Sequence, residues 1–515
     1  MGVLLLVLLL LLVVLSVLVL LMLLQTLLQR LPLYKDDWKT GFRAKSLSTT
    51  AFMYFACLMP AVAFGGFAQQ VTGGAMGVVE YLVACGGSGV AYSLFSGQPM
   101  TFTGPTGLTL AFITALHAFT SAAALPFLPV YTWCGLWTSA LMVALAAGGA
   151  SNLVRYATQF TDDVFNALIA LNFLAEACGG LARNFKLGGA GGSGGALLAV
   201  NVAGASYLLT QALTQARGSV YFNKGVREQV SDFGPVLAIA AMTAVSHLPA
   251  VSSIGLDFLS VPASFMLQGG RGWLSPLLSV PVSVRLLCLL PALLLTSLFF
   301  LDQNISARVV NRPAHKLKKP PAYHQDLLTL GVITGVLSVL GLPWQCAATV
   351  QSLNHVRALS TTQVVDGPDG EKQEVVTEVC ETRVTGFATH ALILMSVGAL
   401  PLLRLIPMPV VSGMFLYLGR KVMCGNGFFE RITDLCMDPK LMGSGSVVKA
   451  VGRGTALRYT AVQALMLALL WTLKSFSQTA LLFPSVIGLL VVMRLTVLPK
   501  LFSDRSLRLL DPPVA

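Results

Sequence analysis

Apolar stretches of nearly bilayer-spanning length recur from one end of this 515-residue chain to the other. A helix rises 1.5 Å per residue, so about 20 apolar residues cover the hydrocarbon layer. Inside that layer each backbone N–H and C=O needs a partner within the protein, which restricts spanning structure to helices or closed barrels. The runs lie near 48–68, 75–95, 130–150, 161–182, 194–213 and 233–250, then near 279–305, 323–342, 384–405, 408–423, 456–475 and 479–497. Their lengths are those of helices, and the fold class expected is an all-α polytopic membrane protein. Only 11% of residues are charged and 55% are hydrophobic, against roughly 25% charged in soluble domains. A solvated globular surface is excluded.

The formal charge of +12 could point to nucleic acid, but the basic residues sit in short connectors, where they set topology. Arg308, Arg312, Lys316, Lys318 and Lys319 form one such group; Arg217, Lys224 and Arg227 a second; Lys440, Lys449 and Arg453 a third; Arg505 and Arg508 lie in the tail. These groups fall on one side, the cytoplasm, if two polar interruptions of the apolar pattern each count as a short span. That arithmetic favours about fourteen transmembrane elements. Residues 1–29 form a Leu-rich leader or extra anchor, 188–195 (GGAGGSGG) a flexible linker, and 361–379 a hairpin outside the bilayer. The nine cysteines are scattered singly and read as small buried hydrophobes; the six histidines show no metal-ligand spacing.

The two interruptions are SGQPMTFTGPTG at 96–107 and LGLPWQCAATVQS at 340–352. Each begins Gly-x-Pro, at Gly97 and Pro99 and at Gly341 and Pro343, and each takes the third place in its half of the chain. Short Gly/Pro-broken segments in corresponding halves are the sequence signature of an inverted-repeat transporter with its site at the repeat interface. The halves are 30–250 and 251–515. Two half-helix N-termini aimed at one point would offer free N–H groups and partial positive charge to an anion. A pair of ordinary helices kinked at proline is the plainer alternative.

Asp302 lies toward the end of an otherwise uncharged span. A carboxylate at that depth costs about 2.5–3.5 kcal/mol on insertion scales, which makes it a candidate functional residue; exposure at the membrane surface is the competing reading. Glu80 and Glu176 also fall in spans, where helix packing or gating is the expected role. No paired carboxylates, metal cluster or activated nucleophile suggests an enzyme. Alternating access around paired broken helices fits better than a channel.

Several long blocks resemble solute carrier family 4, the bicarbonate transporters. They include LPLYKDDW, FMYFACLMPAVAFGG, GQPMTFTGPTG, GLWTSALMVALAAGGASNLVRYATQFTDDVFNALIALNFLAEA, FLDQNISARVVNRPAHKLKKPPAYHQDLL, GLPWQCAATVQSLNHVRAL and IPMPVVSGMFLYLGR, in order from about Leu31 to the C-terminus. The resemblance implies seven plus seven inverted spans, core and gate domains, a homodimer, and a plasma-membrane or organellar location. It places substrate between the half-helices of the third and tenth spans, facing Asp302. Candidate contacts are Thr103 and Thr106 on the first, and Ala347, Ala348 and Thr349 on the second. Asp302 and Ser306 match the sodium-coupled pattern and imply a site for sodium or a proton. No cofactor or nucleic-acid partner is implied.

Chloride/bicarbonate exchangers carry Glu at the position of Asp302 and Arg at that of Gln351, so Gln351 is read as subtype-determining. The acidic residue ending the third-span motif is replaced by Ile113. The expected function is secondary active transport of a small inorganic anion, bicarbonate or carbonate, coupled to sodium or protons. Borate export and chloride/bicarbonate exchange on the same fold are the alternatives.

Overall fold

In the computed structural model the chain is described over residues 30–512, apart from 157, 188–190, 260, 262–264, 367–371, 441, 444–445, 477–478 and 480–482. The leader reading for residues 1–29 lies outside them. After a helical approach over 30–39, the first half contains α1 (Ala44–Val71), α2 (Val78–Phe95), the two-residue strand β1 (Thr103–Gly104), α3 (Gly107–Ala122), α4 (Phe127–Ala147), α5 (Gln159–Leu187), α6 (Gly192–Gln215) and α7 (Gly234–Ser246). The second half contains α8 (Leu289–Val310), α9 (Tyr323–Val339), β2 (Cys346–Ala347), α10 (Thr349–Leu359), β3 (Ser360–Asp366), β4 (Lys372–Val379), α11 (Val384–Met395), α12 (Met408–Met423), α13 (Arg453–Ser475) and α14 (Phe483–Thr496). Shorter helical pieces fill the connectors. Among the described residues, eight helical segments are long and apolar enough to cross a membrane. The chain is an integral multi-pass membrane protein.

Two helix pairs bring the broken stretches inward. α4 packs along α9, and α2 along α11. Both contacts are made close by glycine, as small residues allow in membrane helix packing. A Cβ on Gly89 of α2 would stand 1.9 Å from the His390 ring of α11, and one on Gly135 of α4 would stand 1.9 Å from Ser338 Oγ of α9. α12 lies against both α5 and α6. The fully buried side chains include Trp344, Tyr131, Phe112, Phe299 and Tyr92.

The structure corrects several expectations. The fold is mostly helical but not all-α, because β1 pairs with β2 and β3 with β4, both antiparallel. The β3–β4 pair is the expected hairpin. Of the glycine run, 188–190 lie outside the described residues, and the rest is not a linker: α6 begins at Gly192, and Gly191 and Gly195 leave room for the carbonyls of Ile254 and Gly255 to approach. Arg308 belongs to the last turn of α8, buried and paired with Asp162, and not to the solvated connector. Several apolar runs yield helices of fewer than 18 residues, including α7, α9 and α12, because glycine and proline end the helix before hydrophobicity ends.

The connector after α8 is clamped to the approach segment. Lys319 Nζ lies 2.7 Å from Asp36 Oδ2 and 2.5 Å from Asp37 Oδ1, and Arg383 Nε lies 2.9 Å from Asp37 Oδ2. Hydrogen bonding to Lys319 holds the Asp36 carboxyl below its ordinary value. Burial works against the charge of Lys319, yet its bonds to Asp36 and Asp37 outweigh that and hold its proton above the ordinary lysine value.

Candidate functional site

The two interruptions meet inside the protein. Thr103 stands opposite Ala347 and Gly104 opposite Cys346 in the β1–β2 pair, and Ala348 N donates to Phe102 O at 2.7 Å. Extended backbone at this depth is tolerated because each stretch satisfies the other. A polar frame holds them there. Asp326 Oδ1 accepts from Gly97 N at 2.8 Å and Gln98 N at 2.9 Å, while Phe102 N donates to Ser352 Oγ at 2.9 Å. On the other stretch, Arg271 Nη2 donates to Gly341 O at 2.7 Å, Tyr131 Oη to Leu342 O at 2.8 Å, and Trp344 N to Tyr131 Oη at 3.0 Å. The Tyr131 and Trp344 rings stack at 3.8 Å. Gly341 turns the chain at φ 60°, a conformation that favours glycine.

Helices start where the strands end. α3 begins after Thr106, whose hydroxyl accepts from Thr109 N at 3.3 Å. α10 begins at Thr349 after Ala348, which supplies no side-chain cap. The first N–H groups of α10 are therefore without a capping side chain, at the end of the helix that favours negative charge.

Asp302 and Ser306 lie four residues apart on α8, on one face, and both are buried. Asp302 Oδ2 accepts from Cys346 Sγ at 2.9 Å, and Ser306 Oγ shares a hydrogen bond with Thr349 Oγ1 at 2.6 Å. Thr106 and Thr109 hydroxyls each lie 3.5 Å from Cys346 Sγ. Thr103 Oγ1 is buried without a partner, while its carbonyl faces His390 Nε2 at 3.1 Å. Asp302 is thus joined to Thr106 through Cys346, while Ser306, one turn on along α8, is joined to Thr349. Thr103, Ala347 and Ala348 form the backbone crossing beside them. Gln351 follows in the first turn of α10 and is buried.

Sequence reasoning missed Cys346, Thr109 and Asp326. In the sequence Cys346 reads with the other cysteines as a buried hydrophobe; its place in an extended stretch, not a helix, is the available signal. Glu80 proves to be a cap and tether: Oε2 accepts from Gly77 N at 3.0 Å and Oε1 from Gln268 N at 2.6 Å. Glu176 instead lines a cavity of about 500 Å³ with Thr114, Arg183 and Lys474. A cavity of about 410 Å³ reaches Thr349 from the end of α8 bearing the basic connector, and Arg312, His315, Arg357 and Lys421 line it.

The family described as the HCO3- transporter integral membrane domain matches residues 19–188 and 193–515. The chain belongs to this family. The family match starts within the leader, earlier than the resemblance at Leu31 suggested. Among the family's members, sodium bicarbonate cotransporter 3 of Homo sapiens is 33% identical over 552 residues, covering 94% of this chain and 45% of the relative. The sodium-driven chloride bicarbonate exchanger of Homo sapiens is 32% identical over 555 residues, covering 94% of this chain and 49% of the relative. The chain spans about half the length of these curated relatives. The transmembrane domain of a cyanobacterium bicarbonate transporter, BicA, shares the fold at TM-score 0.52 and 16% identity, over 88% of this chain and 96% of that one. SLC26A9 does so at TM-score 0.58 and 13% identity, over 91% and 68%.

Proposed function

We propose that this bicarbonate-transporter family member is a secondary active carrier of bicarbonate or carbonate, with sodium or a proton held at Asp302 and Ser306. The observation that carries the reading is the antiparallel meeting of the two interruptions, Thr103 opposite Ala347, beside a buried carboxylate on α8. The uncapped start of α10 and the hydroxyls of Thr103 and Thr106 provide donors to an oxyanion, and a cation at Asp302 balances its charge. Ala347 and Ala348 are small enough for the anion to approach the backbone. Sodium coupling is in the names of relatives covering 94% of the chain.

The carrier is read as two inverted repeats of seven elements, 30–250 and 251–515. Supporting this, α2–α11 and α4–α9 exchange when each element is moved seven places along the chain, and α5–α12 maps onto itself. The anion would approach Thr349 through the cavity lined by Arg312, Arg357 and Lys421, with Asp162 and Asp163 also on its wall. The unit is proposed to assemble as a homodimer, as the family resemblance implies.

The test is flux in reconstituted vesicles, comparing bicarbonate, borate and chloride with and without a sodium gradient. Bicarbonate uptake driven by sodium, and stimulated by substrate on the far side, is expected. Borate-selective flux would assign the alternative substrate. Sodium-independent exchange of chloride would remove the cation from the mechanism.

A further inference from the structure

We propose that Cys346 is an internal cap on Asp302, a donor that the incoming cation must displace, so that the side chain at 346 sets how tightly the cation is held. The inference rests on the reading of Asp302 as the cation site and adds a residue that reading does not contain. Among the described residues the Cys346 thiol is the hydrogen-bond donor to Asp302, at 2.9 Å, and no lysine or arginine forms an ion pair with this carboxylate. Asp302 is 2% exposed and Cys346 0% exposed. A buried carboxylate left without a donor is costly. In the empty site the thiol lessens that cost.

The sulfur has a second set of neighbours. Thr106 and Thr109 hydroxyls are each 3.5 Å away and 2.9 Å from each other, so one of them can donate to sulfur while its S–H points to Asp302. They can also accept that S–H once a cation has taken Oδ2. A thiol is a weak donor and a weak acceptor, which suits a cap that must leave. The exchange links the cation site to the start of α3, since Thr106 is the N-cap of that helix.

The cap predicts an order. Cys346→Val keeps an apolar side chain of similar size but donates nothing, so the cation should be held more tightly. Cys346→Ser places a stronger donor on Asp302 and should weaken it. The experiment measures the half-saturating sodium concentration for bicarbonate uptake by the full chain in vesicles, together with the pH midpoint of flux. Relative to the native thiol, a shift of about three- to tenfold in each direction is expected, tighter for Val and weaker for Ser. Unchanged or reversed order in functional, correctly folded variants would overturn the inference while leaving cation coupling intact.

A second measurement is independent of transport. The infrared S–H band of the purified protein should contain a component shifted by the carboxylate, lost in Cys346→Val and moved in Asp302→Asn. If flux ignores both sodium and protons but this band behaves as expected, the coupling reading and the displacement by a cation both fail, and only the capping contact stands. A band that Asp302→Asn leaves unmoved shows that the thiol does not cap Asp302.

Discussion

Ser306 Oγ and Thr349 Oγ1 lie 2.6 Å apart, joining the final turns of α8 to the first residue of α10. One hydrogen bond thereby ties the helix bearing the buried carboxylate to the helix whose N-terminus is uncapped. A cation on the first and an anion at the second would be held in one unit. Any movement that separates these helices would disturb both sites together.

Asp302→Asn should abolish cation-driven uptake while leaving folding and membrane delivery intact. The amide preserves size and can still accept from Cys346, but it carries no charge to balance a cation. Vesicle flux and surface quantification check this, and near-normal flux in a well-delivered variant would remove Asp302 from the mechanism.

Ser306→Ala and Thr349→Val each delete one partner of the 2.6 Å bond. Since such a bond is worth about 0.5–1.5 kcal/mol net, each variant should weaken apparent sodium affinity by roughly two- to tenfold. The double variant should cost little more than either single one. Additive losses would mean that the hydroxyls act separately.

Gln351→Arg would add a fixed positive charge near the start of α10. At ~4 Å and an effective dielectric of ~20 that charge is worth about 4 kcal/mol toward an anion, partly offset by guanidinium desolvation. The expected result is weaker sodium dependence and greater chloride flux, most evident alongside Asp302→Glu. Anion flux at varied external sodium tests it. Unaltered sodium dependence would show that position 351 does not determine subtype.

Asp326→Asn should loosen the first interruption, because the carboxylate accepts from both Gly97 N and Gln98 N in a fully buried position. Charge-assisted bonds of this kind contribute about 1.5–3 kcal/mol. A lower melting temperature and reduced flux are expected together. Reduced flux with native stability would instead give Asp326 a direct role in transport.

Lys319→Gln should lower thermal stability through loss of the clamp to Asp36 and Asp37. The sign of its pH dependence follows from the two shifts. The raised Lys319 value gives stability that is complete below the ordinary lysine value and lost as pH rises through the folded one. The lowered Asp36 value gives stability present above the ordinary carboxyl value and lost as pH falls through the folded one. The melting difference between native protein and Lys319→Gln should therefore be flat from about pH 5 to 9 and shrink at either extreme. A difference that varies strongly near neutrality would implicate another group.

Membrane partition is a local property, and the amino-acid sequence by itself determined what depends on it. Run length and the scarcity of charge marked the spans, the Gly-x-Pro starts at Gly97 and Gly341 marked the two breaks, and the position of Asp302 marked a costly carboxylate. Helix ends were less legible, since Arg308 reads as connector until its pairing with Asp162 draws it into the protein. Only the tertiary structure decided that Thr103 meets Ala347, that Cys346 reaches Asp302, and that Ser306 bonds Thr349. Those contacts join distant parts of the chain and depend on how closely α2 approaches α11 and α4 approaches α9. The approach is set by glycines such as Gly89 and Gly135 facing particular neighbours, and a sequence pattern shows that a surface is small without showing what packs upon it.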